Sequence, residues 1–228
     1  MIQLERLEKR PIVPMNYLDG TSKLLVLIDP GHGIDTRGKK STVWNNGLQL
    51  KEWHYNRVNA YWLSRELYNN GINYILVVPE QNDVSLQERC TRINDYHKKY
   101  QNKYKPITLS LHGNAAGMGS ANGIEAFTSV GYTMADPIAE TLLTRLEKMN
   151  WNMRYGWGDP DGVSDKDKEM HFFILKHTMT PTILLELGFY TNYKECMKML
   201  KASTQKKFAR LLTNGLNEVE KTAVEIGI

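Results

Sequence analysis

Leu24-Leu25-Val26-Leu27-Ile28-Asp29-Pro30-Gly31-His32-Gly33 is the stretch from which the architecture can be read. Five consecutive apolar residues suit a short strand covered on both faces. The turn Asp29-Pro30-Gly31 ends it and leaves His32 between two glycines, just past the C-terminal end of the strand. The same unit recurs along the chain. Tyr74–Val78 reads as a second strand, stopped by Pro79, and Ile107–Leu111, Ile124–Ser129, Phe172–Leu175 and Ile183–Leu187 read as further ones. Amphipathic segments separate them. Trp53–Asn70 is closed by Gly71, and Ser85–Tyr100 opens on the capping pair Ser85 and Glu88. In that second helix Leu86, Cys90, Ile93 and Tyr100 share a face. Asp136–Met149 places Asp136 at the cap and Pro137 in the first turn. Thr204–Ile226 turns Phe208, Leu212, Leu216, Val219, Ala223 and Ile226 to one side. Strands alternating with helices predict a single α/β domain. Its mostly parallel twisted sheet has about six strands, with helices on both faces. The domain is expected over residues 23–228, with residues 1–22 as an extension.

Composition narrows the function classes. With 228 residues, 41% of them hydrophobic, the chain can bury a core without disulfides or structural metal. The net charge of +4 is dispersed, and basic residues gather no further than pairs such as Lys98-Lys99 and Lys206-Lys207, which excludes a nucleic-acid stripe. Cys90 and Cys196 fit no metal-binding spacing, and Cys90 reads as a buried thiol. No apolar run reaches the length of a membrane span. Residues 1–14 carry Glu5, Arg6, Glu8, Lys9 and Arg10 and lack the apolar run of a signal peptide, so synthesis in a cytoplasm is expected.

The chemistry lies where polar residues meet strand ends. His32 follows the first strand, His112 closes the third, and Glu186 interrupts the apolar run Ile183-Leu184-Leu185-Glu186-Leu187-Gly188. In a parallel sheet the C-terminal strand ends line one edge, where ligands bind. Two histidines there point to a metal, and a catalytic zinc needs a third N or O ligand and an open position. Glu52 is the candidate. It precedes the helix whose buried side carries Asn56, Leu63 and Leu67, at an end where the dipole favours a carboxylate. One zinc per chain on His32, Glu52 and His112 is therefore expected, at the C-terminal edge of the strands, with Glu186 nearby and unligated. Each residue alone has a plainer reading: a hydrogen-bonded core histidine, a helix-start carboxylate, glycines that only shape turns. Glu186 resists it, because a carboxylate inside an apolar strand is costly to bury without a partner or a task. His54, His97 and His177 read as helix or loop residues, while His171 is a candidate for lining the site. Trp151–Met170 has no periodicity and is long for a connection, which suits a binding loop.

Four segments in order carry a resemblance: Leu27-Ile28-Asp29-Pro30-Gly31-His32-Gly33, Leu50-Lys51-Glu52, Ser110-Leu111-His112-Gly113-Asn114-Ala115 and Leu184-Leu185-Glu186-Leu187-Gly188-Phe189. Together they resemble the zinc amidases of the Amidase_3 type, found among bacterial cell-wall enzymes and phage endolysins. Val84–Arg89 is similar to the family's helix signature and Gly123-Ile124-Glu125 to its next strand. The resemblance implies a zinc-dependent N-acetylmuramoyl-L-alanine amidase with His32, Glu52 and His112 as zinc ligands and Glu186 as the catalytic carboxylate. Asn114, Arg154 and His171 are the expected substrate-binding residues. The pattern after His32 and the run Glu52-Trp53-x-Tyr55-Asn56-Arg57 look most like single-domain versions from Bacteroidetes and their phages. The expected partner is peptidoglycan, met by a monomer that needs neither nucleic acid nor a membrane segment. With no export signal, the expected setting is host lysis by an endolysin released to the wall through a holin. The chain departs from the family at Val78-Pro79-Glu80, where Thr-Arg-Asp is usual, and its extension has no counterpart. A non-catalytic wall-binding module would lack a ligand or Glu186. A zinc peptidase cutting within the stem peptide would share the metal site, and only product chemistry separates it.

Overall fold

The computed structural model describes residues 14–117, 119–156 and 166–226. The described residues begin with β1 (Asn16–Tyr17) and β2 (Leu24–Pro30), then α1 (Glu52–Asn69), β3 (Asn73–Leu76), α2 (Leu86–Tyr100), β4 (Lys105–Asn114) and β5 (Ile124–Thr128). It continues through α3 (Ala135–Leu146), β6 (Lys168–Glu169), α4 (Phe173–His177), β7 (Thr182–Phe189), α5 (Tyr193–Met199) and α6 (Ala202–Ile226). Among the described residues the strands form one sheet in the order β1-β3-β2-β4-β7-β5-β6. β3, β2, β4 and β7 run parallel; β5 is antiparallel to β7, β6 is parallel to β5, and β1 closes the other edge antiparallel to β3. The expected α/β domain with a mostly parallel sheet is what the chain forms.

The alternation within each strand divides the core. Leu24, Val26 and Ile28 pack with Leu109, Leu111, Leu185 and Leu187 beneath α1, α3 and α6. Leu25 and Leu27 point the other way, with Leu184 and Phe127, against Cys90 and Ile93 of α2 and Ile174 and Leu175 of α4. Helices thus cover both faces, as a parallel sheet requires. On α6, Phe208, Leu212, Leu216 and Val219 are buried as their spacing predicts, while the side chains of Ala223 and Ile226 lie outside the described residues.

From β2 the chain crosses through α1 to β3 on one side, then through α2 to β4 on the other. Right-handed crossovers in opposite directions place their helices on opposite faces. They also open a crevice between the C-terminal ends of β2 and β4, at the point where the strand order reverses. His32 and His112 stand at those two ends.

Three expectations require correction. Phe172–Leu175 is not a strand: Phe173–His177 is the short helix α4, with Lys176 N donating to Phe172 O at 3.1 Å. Four apolar residues do not distinguish a strand from one turn of helix. Here the edge position beside β5 is taken by Lys168–Glu169 upstream, inside the stretch that reads as loop. Asp136 is not the N-cap of α3 but lies in its first turn, where its carboxylate accepts from Thr133 N. Leu86 does not join Cys90 and Ile93 in the core; it is 52% exposed at the rim of the crevice. Within the extension, Asn16–Tyr17 adds an edge strand, and Pro14 O accepts from the buried Tyr74 hydroxyl at 2.7 Å.

Candidate metal centre and cleft

β2 delivers His32 into a loop of unusual backbone. His32 has φ 62, a left-handed conformation that costs a non-glycine residue about 1 kcal/mol or more. Donors on its main-chain carbonyls hold it there. Asn56 Nδ2 of α1 donates to Gly31 O at 3.0 Å, and Arg57 Nη1 donates to His32 O at 2.7 Å. From α2, Arg89 donates to Pro30 O at 2.9 Å and to His32 O at 3.4 Å. Arg89 is itself buried and pairs with Asp29 at 2.5 Å, whose second oxygen accepts from Ser110 Oγ at 2.7 Å. The buried Asp29 at the end of an apolar strand is thus the counter-charge that lets an arginine reach under the loop.

Glu52 begins α1 and is 1% exposed. Its Oε1 lies 3.2 Å from His32 Nε2 and 3.1 Å from His112 Nδ1, and the two imidazoles meet edge to face with centroids 5.0 Å apart. Burial would raise the Glu52 carboxyl. Hydrogen bonds from His112 and His32 outweigh it and hold the group well below the ordinary carboxylate range. In His112 burial opposes protonation, and the neighbouring Glu52 and Glu186 overcome it, raising the imidazole. Gly31 gives the His112 ring its space, because a Cβ there would stand 2.0 Å from His112 Cε1.

The three side chains bring ligand atoms within 4.8 Å of one another. Glu52 Oε2 is buried without a hydrogen-bond partner. Two imidazole nitrogens and one carboxylate, whose second oxygen is buried without a partner, fit a divalent cation of borderline softness.

Glu186 is set by strand period. Leu185 and Leu187 enter the core beneath α1 and α6, so Glu186 faces the cleft with Leu184. In register it pairs with His112 of β4 on one side and Glu125 of β5 on the other, so His112, Glu186 and Glu125 form one row across the sheet. Burial, reinforced by the carboxylates of Glu52 and Glu125 and countered by His112, pushes the Glu186 carboxyl up to about 8. Its Oε2 is a second buried oxygen without a partner.

These groups line one cleft of about 490 Å³. Asn114 lines it too and donates Nδ2 to Glu125 Oε2 at 2.7 Å. Arg154 stands further along, on the far side of Glu125. His171 is exposed in the connection between β6 and α4 and is not part of the cleft wall. Sequence reasoning passed over Lys39 and Tyr190, which also line the cleft. Lys39 lowers Glu186 electrostatically. The Tyr190 phenol is buried beside Glu52 and Glu186 and held above its ordinary range, so it stays a hydrogen-bond donor. A tyrosine two residues past a glycine at a strand end is a weak signal, and an exposed loop lysine is weaker.

Comparison with known proteins agrees with this geometry. The profile of the N-acetylmuramoyl-L-alanine amidase family Amidase_3 matches residues 26–218. The chain is 28% identical over 196 residues to the N-acetylmuramoyl-L-alanine amidase LytC of Bacillus subtilis, covering 83% of this chain and 34% of LytC. It is 25% identical over 167 residues to the probable cell wall amidase LytH of Staphylococcus aureus, covering 73% of this chain and 48% of LytH. The chain thus spans about a third to a half of these relatives' lengths. The crystal structure of an N-acetylmuramoyl-L-alanine amidase from Clostridium difficile 630 shares the fold with a TM-score of 0.72 at 23% identity, covering 89% of this chain and 99% of that one. With the match running through both histidines, Glu52 and Glu186, the chain belongs to the Amidase_3 family of N-acetylmuramoyl-L-alanine amidases.

Proposed function

We propose that this protein hydrolyses the amide bond between the lactyl group of N-acetylmuramic acid and the L-alanine of peptidoglycan stem peptides, using one zinc ion. The observation that carries the reading is the convergence of His32, Glu52 and His112 beside Glu186 in one cleft. His32, Glu52 and His112 would hold the zinc, which when bound supplies Lewis acidity to polarise the lactyl carbonyl and acidify water. Glu186 accepts a proton from the attacking water and delivers it to the departing alanine amine. An amine leaves poorly unless protonated, so a carboxyl whose surroundings favour the protonated form suits the second transfer. Tyr190 offers a hydrogen-bond donor to the cleft, and Asn114 ties the Glu186 row to the loop beyond β4. Asn114 and Arg154 are the proposed substrate contacts, and His171, exposed outside the cleft wall, is proposed to meet only substrate that extends beyond the cleft.

The proposed setting is host lysis by an endolysin acting on the wall after holin-dependent release. It rests on the resemblance of the segments after His32 and after Glu52 to single-domain versions from Bacteroidetes and their phages. Among the described residues no helix is long and apolar enough to cross a membrane. The deciding experiment incubates zinc-loaded protein and its Glu186→Gln variant with purified peptidoglycan and identifies the new ends by mass spectrometry. Free alanine amines together with peptide-free glycan, from the wild type alone, are expected. New ends inside the peptide would make the protein a zinc peptidase, and intact wall in both samples would make it a binding module.

A further inference from the structure

Glu125 stands directly opposite Glu186 in the antiparallel pair of β5 and β7. It is 4% exposed, yet it is not left as a bare charge. Asn114 donates to Oε2, while Lys168 Nζ at 2.8 Å and Arg154 Nε both donate to Oε1. Two cations thus meet on one carboxylate, and the buried Glu195 also feels the charge of Arg154. Arg154 uses only Nε on Glu125. Its Nη1 and Nη2 hold no partner among the described residues, and its side chain is 39% exposed. The guanidinium lies over the Phe189 ring, 5.2 Å from the centroid, which steadies its plane. Arg154 also walls a second, open hollow with Ala116, Gly117, Ser120, Ala121 and Asn122. That hollow continues in sequence from Ala115, where the wall of the main cleft ends, and among the described residues no acidic side chain lines it.

The geometry points to Arg154, with Lys168 beside it, as a subsite for a carboxylate of the substrate on the peptide side of the scissile bond. The inference rests on the proposed amidase reading and adds the chemical class that the enzyme selects. A planar guanidinium with two free donors matches a carboxylate fork to fork. Across the sheet the order is His32, His112, Glu186, Glu125 and then the two cations, so the metal ligands and the cations flank Glu186 on opposite sides. Glu186 serves the leaving amine, so the peptide extends from it toward Glu125. Two strand spacings of about 4.8 Å separate Glu186 from the cations, which an extended peptide covers in roughly three residues or fewer at about 3.3 Å each. The carboxylate therefore belongs to the residue after alanine or the one beyond it.

The test uses the full chain loaded with zinc and two muramoyl tripeptides, both amidated at the C-terminus. They differ only in whether the second residue carries a free carboxylate or a carboxamide. The wild type is expected to prefer the carboxylate by about tenfold in kcat/KM, with the difference in KM. Arg154→Lys keeps the ion pair to Glu125 but loses the fork and should narrow the preference, and Arg154→Met should bring the ratio close to one. The same split should appear in Kd for Glu186→Gln, which binds without cutting. A third tripeptide, with the carboxamide at the second residue and a free C-terminal carboxylate, identifies which carboxylate is read. Restored preference with it moves the contact to the terminus and keeps the subsite. Equal handling of all three peptides by the wild type, or a preference that survives Arg154→Met, overturns the subsite while leaving the amidase intact. Neither cleavage by the wild type nor binding by Glu186→Gln overturns both.

Discussion

Gly31→Ala is the smallest change that should dismantle the metal centre. Gly31 does not have a left-handed backbone, so alanine costs nothing in backbone conformation. The effect is steric and local. The new methyl would stand 2.0 Å from His112 Cε1, 2.4 Å from Nε2 and 2.6 Å from Nδ1, so it strikes the ring face and not one flexible tip. Ordinary carbon contacts lie at about 3.5–4.0 Å, so the imidazole must retreat by roughly 1.5 Å. Metal ligands tolerate about 0.2 Å, so the retreat removes His112 from any shared site with His32 and Glu52. Losing an orienting contact alone weakens metal binding by about 10–100-fold, and losing the ligand should exceed the upper figure. The assay is zinc affinity by competition with a chromophoric chelator, alongside thermal melting of the metal-free protein. Overpacking costs about 1–3 kcal/mol, so the metal-free variant should still fold and melt about 2–12 °C lower. A variant with wild-type zinc affinity would refute the placement of His112 against the Gly31 backbone, and with it the proposed ligand set.

Four further outcomes are expected. Glu186→Gln should retain zinc and lose about 10²–10⁴-fold in kcat, whereas His32→Ala should lose both metal and turnover, by metal analysis and peptidoglycan release. Glu186 also titrates with folding. Its carboxyl is raised from 4.5 to about 8, so the unfolded chain ionises first. The metal-free protein should lose stability as pH rises between those values, and Glu186→Gln should flatten that slope in thermal melts; parallel slopes would contradict the burial of Glu186. Asp29→Asn strips Arg89 of its buried partner and should cost about 3 kcal/mol or more in urea unfolding. Cys90 and Cys196 are buried with raised thiols, so neither should react with a water-soluble disulfide reagent until the protein unfolds.

The parts of the site that were legible in sequence are those where polarity contradicts local pattern. Glu186 stands out because Leu184, Leu185 and Leu187 surround it, and His32 and His112 because each stands beside a glycine just past an apolar run. Glu52 is legible only through Leu63 and Leu67, which mark the buried side of its helix. The short elements were not legible. Asn16–Tyr17 and Lys168–Glu169 are too short to show any period, and Phe173–His177 is apolar over little more than a turn. Nor does periodicity reveal polar partnerships across the sheet. That Arg89 reaches Asp29, or that Glu125 gathers Asn114, Arg154 and Lys168, depends on strand order, which a run of residues does not encode. One trace was present: Arg89 neighbours Cys90 on α2, and a cation so placed implies an acid on the strand beneath.

The strained loop at His32 has a consequence for handling the protein. The side chains that grip its carbonyls come from α1 and α2, Gly31 N donates to Leu111 O of β4 and Gly33 N to Thr36 Oγ1, and all of these restrain main-chain atoms only; the polar contact to the His32 ring is from Glu52. The left-handed turn is therefore secured by folding itself, and the proposed zinc would arrive at a finished socket. The proposed site should then empty on chelation and refill on dialysis without refolding, in contrast to zinc fingers, where metal and fold are lost together. Cobalt(II) exchanged in this way would turn a spectroscopically silent centre into a coloured one, whose absorption reports the geometry around His32, Glu52 and His112 directly.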